Sequence, residues 1–284
     1  MLIVEDLALT YADGTEALRG IDLRLGQGIF GLLGPNGAGK SSLMQLLATL
    51  QRPSRGSMRF DDIDLLAEPK RLRQQLGYLP QEFGVYPNAS AIDLLDHLAV
   101  LKGVTARTER STEIERLLTL VNLWDVRSRA VATFSGGMRQ RFGVAQALIG
   151  RPRLIIVDEP TAGLDPEERN RLYDVLAEVA GEAVVIVSTH IIEDVASLCD
   201  RLGVLADGRL LFTGTPDELT APLKDRVWIS DQKKATGRLL SSRLVGRRRQ
   251  FRIMSDTAPD PGSTRVEPTL EDGYLAVLKG AYPC

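Results

Sequence analysis

The chain has 284 residues, of which 44% are hydrophobic and 25% are charged, a composition typical of an ordered globular protein. Its 35 Lys and Arg residues nearly balance its 37 Asp and Glu residues, so the net charge is -2. Because a nucleic-acid-binding domain usually carries a basic excess, we expect no nucleic-acid partner.

The cysteines and the apolar runs limit the expected location of the protein in the cell. Cys199 and Cys284 are far apart and fit no metal-binding spacing, which favours a reducing compartment. The first ten residues, MLIVEDLALT, carry no positively charged leader, and the longest apolar runs, LIIV and AVVIV, are too short to cross a bilayer. Any membrane role is therefore expected to come through a partner.

Short strand-like pieces open the chain, namely LIVEDLALTY, IDLRL and GIFGLL, separated by the turn signals ADG and GQG. After a glycine-rich loop and a helix, SMRFDDIDLL and QLGYLPQ are typical of further strands around a polar, arginine-rich link. Helical periodicity then runs from about residue 90 to 150 without a convincing strand. This predicts a helical subdomain, at about 88–150, inserted into an α/β core.

The segments RLIIVDEP and EAVVIVSTH contain the apolar runs of buried strands, and a helix-forming segment lies between them. This βαβ arrangement predicts a parallel sheet covered by helices. We expect one domain over residues 1–221 and a small α+β appendage over 222–284. Thr269 and Asp272 predict a capping box for the last helix, and the basic run at 247–249 is interpreted as a solvated turn.

Residues 34–42, GPNGAGKSS, match the pattern G-x-x-x-x-G-K-[ST] where a strand turns into a helix, and we call them the phosphate loop. Glycines let backbone N–H groups approach phosphates, and the helix N-terminus adds its positive dipole end. In this pattern Lys40 reaches the β- and γ-phosphates and Ser41 coordinates Mg²⁺. The loop alone fits a kinase, a GTPase or a molecular motor. The expected nucleotide contacts are Gly34, Pro35, Asn36, Gly37, Ala38, Gly39, Lys40, Ser41 and Ser42.

Two adjacent carboxylates, Asp158 and Glu159, end the buried strand LIIVD. Such a pair is costly unless a cation or a reacting group uses it. With the phosphate loop upstream, we expect Asp158 to hold Mg²⁺ and Glu159 to act on the attacking water. The alternative is that Asp158 is the N-cap of a following turn.

Residues 134–141, FSGGMRQR, form what we call the signature segment. Ser135 and two glycines precede a helical pattern, which makes a second helix N-terminus suited to an anion. Two such sites in one ATPase suggest that each serves half of a shared site, with two chains facing each other head to tail. Taken alone, Ser135 would be interpreted as an ordinary helix N-cap.

With these motifs in this order, residues 1–221 resemble the nucleotide-binding subunit of an ATP-binding cassette (ABC) transporter. The resemblance implies a P-loop NTPase core with a parallel sheet and N-terminal antiparallel strands. It implies that Tyr11 stacks on adenine, that Gln81 contacts Mg²⁺ and water, and that Ser135, Gly136 and Gly137 contact the γ-phosphate of ATP held by the opposite subunit.

The same resemblance makes Asp158 the Walker B residue, Glu159 the catalytic carboxylate and His190 the switch histidine. Gly163, Leu164 and Asp165 correspond to the D-loop, so Asp165 is expected at the nucleotide. Phe134 stands where the family usually has leucine; we expect this to change packing and not hydrolysis.

The predicted function is an ATPase that drives transport, with ATP and Mg²⁺ as cofactors, at the cytoplasmic face of the membrane. The expected partners are integral-membrane subunits on separate chains, bound near residues 82–88 and the helix after Ser90, and a second copy in a homodimer. EPTLEDGYLAVL, residues 267–278, resembles the C-terminal end of exporter-type ATPases, including those of drug and antibiotic exporters.

Three alternatives remain beside an exporter ATPase. One is the ATPase of an ABC importer. Another is a soluble ABC ATPase acting on ribosomes or DNA, although such proteins usually carry two cassettes or a long coiled-coil insertion. A P-loop kinase would leave the signature segment unexplained.

Overall fold

The computed structural model describes residues 1–84, 86–161, 163–232 and 235–282. Two residues of the sequence-based expectations lie outside these ranges: Cys284, and Val85 of the segment expected to bind a membrane subunit. Within the described ranges, no helix combines the length and the apolar character needed to cross a bilayer.

The strands lie within residues 2–79 and 154–265, and helices lie between these two stretches. The strands are β1 (Leu2–Thr10), β2 (Glu16–Leu25), β3 (Gly28–Leu33), β4 (Arg55–Phe60), β5 (Ile63–Asp64), β6 (Leu76–Leu79), β7 (Leu154–Asp158), β8 (Val184–Thr189), β9 (Arg201–Ala206), β10 (Arg209–Gly214), β11 (Val227–Ser230), β12 (Arg238–Val245), β13 (Arg248–Met254) and β14 (Thr264–Arg265). The helices are α1 (Lys40–Leu47), α2 (Pro69–Gln75), α3 (Ala91–Leu101), α4 (Arg107–Leu120), α5 (Gly136–Leu148), α6 (Pro166–Ala180), α7 (Ile192–Leu198), α8 (Pro216–Thr220) and α9 (Leu270–Leu278). Short 3-10 helices cover Trp124–Val126, Val131–Thr133 and Ala221–Leu223.

The N-terminal strands form an antiparallel sheet in the order β2-β1-β4-β5. In β1 the alternation of buried side chains shifts by one residue at Asp6, whose φ is 45°. The register with β2 shifts at the same place, between Val4 and Leu7. This bulge keeps Leu7 and Leu9 on the buried face already occupied by Val4.

The central sheet has the order β10-β9-β3-β8-β7-β6 and is parallel from β9 to β6. Every residue of β7 and β8 is buried, as their continuous apolar runs predict, because helices cover both faces of such a sheet. The predicted parallel sheet is confirmed. The carboxyl ends of β3, β6, β7 and β8 therefore meet at one edge, which is where ligands bind in open α/β sheets.

The segment from residue 91 to 150 is helical, with no strand, as predicted. Helices α3, α4 and α5 contact one another, and α5 also packs on β6 and β7. Buried residues of these helices, such as Leu117 and Phe142, belong to the same hydrophobic core as Ile155 in the sheet. The boundary of a separate helical subdomain at about 88–150 stays a prediction.

Helix α2 and strand β12 are among the elements that the sequence interpretation missed. The arginine-rich link is the helix α2, which begins at Pro69 and buries only Leu72. Proline is favoured at the first helical position and straight polar side chains are good helix formers, so no apolar periodicity is needed. Strand β12 exposes most of its residues and so lacks the alternation of a half-buried strand.

Residues after 222 form a third sheet, ordered β12-β13-β11-β14, and helix α9. The predicted capping box between Thr269 and Asp272 is confirmed. The fully buried Asp272 also accepts hydrogen bonds from Arg252 Nε, at 2.7 Å, and Nη2, at 2.5 Å. This ion pair joins β13 to the start of α9. Tyr274 and Val277 of α9 pack into the main core.

The contact between α8 and α9 can be tested at Gly273. A Cβ there would lie 2.7 Å from Leu219 Cγ and 2.9 Å from the Leu219 carbonyl oxygen. Gly273→Val should push α9 away from α8 and lower the free energy of unfolding by about 1–3 kcal/mol, seen as a lower melting temperature. Gly181→Ala is the control, since no atom lies within 4 Å of the added methyl. Equal melting temperatures for the two variants would contradict the contact.

Candidate functional site

An open cavity of about 720 Å³ lies beside the phosphate loop, at the carboxyl edge of the central sheet. Many residues expected at a nucleotide site share its wall. They are Tyr11, Asn36, Gly37, Ala38, Gly39, Lys40, Ser41, Ser42, Gln81 and Glu159. The fold thus brings together side chains that are up to about 150 positions apart in the chain.

The phosphate loop is held by close backbone contacts at two glycines. A Cβ on Gly34 would lie 2.3 Å from the Leu205 carbonyl oxygen, and one on Gly39 would lie 2.5 Å from the Ala17 carbonyl oxygen. Gly39 also has a φ of 105° and directly precedes α1 without a side-chain cap. The first N–H groups of α1 therefore have no side-chain acceptor at the cap, and with the helix dipole they suit an anion.

Lys40 places a cation inside this loop. The residue is 6% exposed, and its Nζ donates to the carbonyl oxygens of Gly34, at 2.7 Å, and Pro35, at 3.2 Å. Burial lowers the pKa of Lys40, while the carboxylates of Glu159 and Asp158 oppose that shift. An ammonium whose hydrogen bonds go to neutral carbonyl groups can exchange them for phosphate oxygens, which bind it more strongly.

The two carboxylates at the end of β7 have different surroundings. Asp158 is 3% exposed and accepts a hydrogen bond from the Ser188 hydroxyl. Glu159 has a φ of 49°, and its N–H donates to the Ser188 carbonyl oxygen at 3.1 Å. This left-handed backbone costs on the order of 1–3 kcal/mol. It turns Glu159 toward the cavity while Asp158 stays buried.

The alternative for Asp158, the N-cap of a following turn, has no hydrogen bond in its favour among the described residues. The next helix N-cap is Asp165, whose Oδ1 accepts from the Glu168 N–H at 2.8 Å. Asp158 instead bonds to Ser188 on the neighbouring strand.

Glu159 is held between two side chains that follow the ends of other strands, β6 and β8. Gln81 Nε2 donates to Glu159 Oε2 at 3.4 Å, and His190 Nδ1 lies 3.1 Å from Glu159 Oε1. The Glu159 side chain is 13% exposed and the His190 side chain 52%. A carboxylate fixed in this way at a cavity wall can orient a water molecule and accept its proton.

Tyr11 lines the cavity from the loop between β1 and β2. Its hydroxyl lies 2.9 Å from Ser42 Oγ in the first turn of α1, and the residue is 38% exposed. A partly exposed aromatic ring can stack on a planar base.

Eight of the expected residues do not line this cavity. Four of them adjoin or contact residues that do, namely Gly34, Pro35, Asp158 and His190. The other four are Ser135, Gly136, Gly137 and Asp165. Ser135 is exposed and caps α5, accepting from the Met138 N–H at 3.2 Å. Its interpretation as an N-cap is therefore confirmed. Asp165 is likewise an exposed N-cap, at the start of α6.

Phe134, which stands where the family usually has leucine, packs in the core. Phe134 is 5% exposed and meets Phe142 edge to face, with ring centroids 6.2 Å apart. Both rings belong to the core behind the signature segment, so the substitution lies away from the exposed Ser135 hydroxyl.

Sequence reasoning missed the turn between β9 and β10. Asp207 and Gly208 line the cavity, and the Gly208 N–H donates to the Ala38 carbonyl oxygen at 3.1 Å. The dipeptide Asp-Gly is typical of a hairpin turn. That local signal does not reveal the long-range contact with the phosphate loop. The other cavity residues missed are Thr15, Glu16, Ala17 and Arg19.

This fold and site define the class of α/β P-loop NTPases, and comparison with known proteins narrows it. The family described as ABC transporter matches residues 18–162. The daunorubicin/doxorubicin resistance ATP-binding protein DrrA of Streptomyces peucetius is 34% identical over 257 residues, covering 90% of this chain and 78% of DrrA. The methionine import ATP-binding protein MetN of Bordetella pertussis is 35% identical over 273 residues, covering 92% and 75%. The chain belongs to the ABC transporter family.

Solved structures agree with this assignment. The ATP-binding subunit of an ABC transporter superposes with a TM-score of 0.72 at 29% identity, covering 78% of this chain and 92% of that one. A dimeric post-hydrolysis state of the ATP-binding cassette MJ0796, bound to ADP and Pi, gives a TM-score of 0.68 at 25% identity, covering 76% and 98%. The chain is an ABC transporter ATPase subunit that binds and hydrolyses ATP.

The contact between the β9–β10 turn and the phosphate loop, which we call the brace, can be tested at Gly208. Its φ is 72°, and a Cβ would lie 2.8 Å from the Ala17 carbonyl oxygen. Gly208→Ala should move this turn and the loop it holds, and weaken ATP binding by about tenfold, a loss of roughly 1.4 kcal/mol. Gly246→Ala matches the backbone strain, with a φ of 61° and open space around the methyl. Calorimetric ATP affinities that fall equally in both variants would contradict the brace.

Proposed function

We propose that this chain is the motor subunit of an ABC exporter, in which two chains close around ATP and hydrolysis reopens them, driving separate membrane subunits. The observation that carries the proposal is that Lys40, Gln81 and Glu159 line one cavity, with His190 against Glu159, while the signature segment does not line it.

The phosphate loop and Tyr11 bind the nucleotide in this proposal. Lys40 and the backbone N–H groups of residues 34–42 hold the phosphates, and Tyr11 stacks on adenine. The tight contacts at Gly34 and Gly39 support this assignment, because they hold the loop backbone in place before a ligand binds.

Ser41, Gln81 and Asp158 would hold Mg²⁺. Their hydroxyl, amide and carboxylate oxygens are the hard ligands that this ion prefers. Ser41 and Gln81 line the same cavity, and Asp158 is close enough to Lys40 to affect its pKa. When bound, Mg²⁺ neutralises charge on the phosphates.

Glu159 is the proposed catalytic carboxylate. It orients a water molecule and takes its proton as the water oxygen bonds to the γ-phosphorus and the bond to the ADP oxygen breaks. His190, 3.1 Å from Oε1, holds the carboxylate in position. Gln81, 3.4 Å from Oε2, links it to the segment that leads into the helical part.

A second copy of the chain completes the site. Ser135, Gly136, Gly137 and Asp165 lie outside the cavity wall of their own chain, and Ser135 is exposed at the positive end of α5. We propose that they contact ATP held by the partner, in a head-to-tail homodimer. The dimeric form of MJ0796 supports this arrangement.

The membrane subunit is proposed to bind near Tyr86 and the start of α3, which would hold the chain peripherally at the cytoplasmic face of the membrane. Tyr86 is 70% exposed. Phe83 differs from expectation, because its ring packs over Gly143 of α5. CbiO1 of Clostridium perfringens, described as part of the ABC transporter complex cbiONQ, supports such an assembly.

Export is proposed from the resemblance of residues 267–278 and from DrrA, a resistance protein. MetN favours the second candidate, an importer ATPase. Copurified membrane subunits, reconstituted in vesicles, would distinguish the two by the direction of ATP-driven transport.

Glu159→Gln tests the catalytic assignment. The amide keeps the size of the side chain but cannot accept a proton from water, so turnover should fall by about 10²- to 10⁴-fold. ATP binding should persist, because the phosphate loop and Tyr11 are unchanged. Phosphate release and equilibrium ATP binding measure the two effects, and turnover at the wild-type rate would exclude Glu159 as the catalytic carboxylate.

Ser135→Arg tests the shared site in the same Glu159→Gln background. With hydrolysis blocked, ATP should accumulate a dimer detected by light scattering. Arg at 135 should abolish the dimer by placing bulk at the contact, while single-chain ATP binding remains. Ser111→Arg, on the exposed face of α4, is the control. A dimer that survives Ser135→Arg would refute the shared site.

Tyr86→Asp tests the membrane-subunit surface. Because Tyr86 is 70% exposed, the change should leave basal hydrolysis intact but reduce stimulation by copurified membrane subunits. Leu244→Asp is a control of equal exposure, 70%, on the β12–β13 hairpin. Equal loss of basal and stimulated activity in Tyr86→Asp would contradict this surface.

A further inference from the structure

A buried carboxylate behind the candidate site gathers hydrogen bonds from several segments. Asp194 lies in the first turn of α7 and is 1% exposed. Its Oδ2 accepts from the hydroxyls of Thr161 and, at 3.0 Å, Thr189. Its Oδ1 accepts from the Tyr173 hydroxyl at 2.5 Å, and Arg169 Nη1 lies 3.7 Å away. Asp194 does not line the cavity.

Two of these donors adjoin the residues around the reacting water. Thr161 follows Glu159 by two positions, and Thr189 directly precedes His190. The Thr189 hydroxyl also accepts a hydrogen bond from the Ile191 N–H at 2.9 Å. The residues directly before and after His190 are therefore bonded to each other. Both threonines are almost completely buried, at 2% and 1% exposure. The ends of β7 and β8 are thus tied to one carboxylate.

The other two groups, the Tyr173 hydroxyl and the Arg169 guanidinium, contact Oδ1 of Asp194. Tyr173 and Arg169 lie on α6. Burial and the hydrogen bond to Asp194 raise the pKa of Tyr173, so its hydroxyl remains a donor. Hydroxyl donors and a nearby guanidinium suit an ionised carboxylate, which accepts hydrogen bonds only.

We propose that Asp194 is a positioning residue for hydrolysis, which sets the distance between Glu159 and His190 through Thr161 and Thr189. This inference rests on the proposed roles of Glu159 and His190. Glu159 has a strained backbone, with a φ of 49°, and such a conformation persists only where its surroundings over-determine it. The hydrogen bonds to Asp194 provide one of these constraints, and the bonds from the Glu159 N–H to Ser188 provide another.

The test compares threonine variants with a matched control. Thr161→Val and Thr189→Val each remove one hydroxyl at nearly constant volume and should lower kcat by about tenfold or more, since small displacements of catalytic groups are costly. The equilibrium dissociation constant for ATP should change by less than about twofold. Thr161→Ser and Thr189→Ser keep the hydroxyl and should restore kcat.

Tyr173→Phe removes a hydrogen bond from the same carboxylate without touching either strand end. It should lower the melting temperature as the valine variants do, yet keep kcat near wild type. If Asp194 contributed to folding alone, kcat would fall in proportion to the melting temperature in Thr161→Val, Thr189→Val and Tyr173→Phe. That result, or wild-type kcat in a folded Thr161→Val and Thr189→Val, would overturn the proposal.

Glu159→Gln is measured in the same assay to separate two kinds of failure. If it retains turnover, the proposed catalytic site is wrong and the positioning role falls with it. If it loses turnover while both valine variants keep theirs, only the role of Asp194 is wrong.

Discussion

Two glycines without room for a side chain hold the phosphate loop between two sheets. Gly34 lies against the Leu205 carbonyl oxygen of β9, in the central sheet, and Gly39 against the Ala17 carbonyl oxygen of β2, in the antiparallel sheet. Any side chain at either position would separate these layers. Lys40 follows directly and begins α1, so the position of the ammonium is set by the packing of the two sheets. The geometry of the whole cavity depends on this junction.

The charged side chains of Lys40, Asp158 and Glu159, around the loop, each have a partner. The Lys40 ammonium has carbonyl partners and lies near two carboxylates. Asp158 is buried but bonded to Ser188, whereas Glu159 turns outward and meets His190. An unpaired buried ion would cost several kcal/mol. The two adjacent carboxylates at the end of β7 therefore lie in different surroundings. Asp158 can bind a cation, while Glu159 remains accessible to water.

Features built from neighbouring residues could be predicted from the sequence itself. Features built across the fold could be predicted where the apolar runs or the family resemblance implied them, and not elsewhere. The capping box of Thr269 and Asp272 spans four residues, and the phosphate loop spans nine, so local spacing was sufficient for both. The buried strands were visible as apolar runs. Gly208 reaches the loop from a turn about 170 residues later, and the hydrogen-bond partners of Asp194 come from α6, from β8 and from the turn after β7. No local pattern encodes such contacts.

The signature segment and Asp165, which lie outside the cavity, belong to two helix N-termini that contact each other. A Cβ on Gly137 would lie 2.1 Å from Glu168 Oε2, so the start of α5 packs directly against α6. Glu168 also pairs with Arg141 of α5 at 3.3 Å and is the residue whose N–H is capped by Asp165. The N-termini of α5 and α6 are therefore joined side by side, and Ser135 is exposed at one of them. In the proposed dimer, this pair of helix ends would approach the partner's nucleotide as one unit, because neither helix can shift without breaking the Glu168 contacts. The same chain carries its own cavity on other elements, which suits a head-to-tail assembly in which each copy supplies one half of each site.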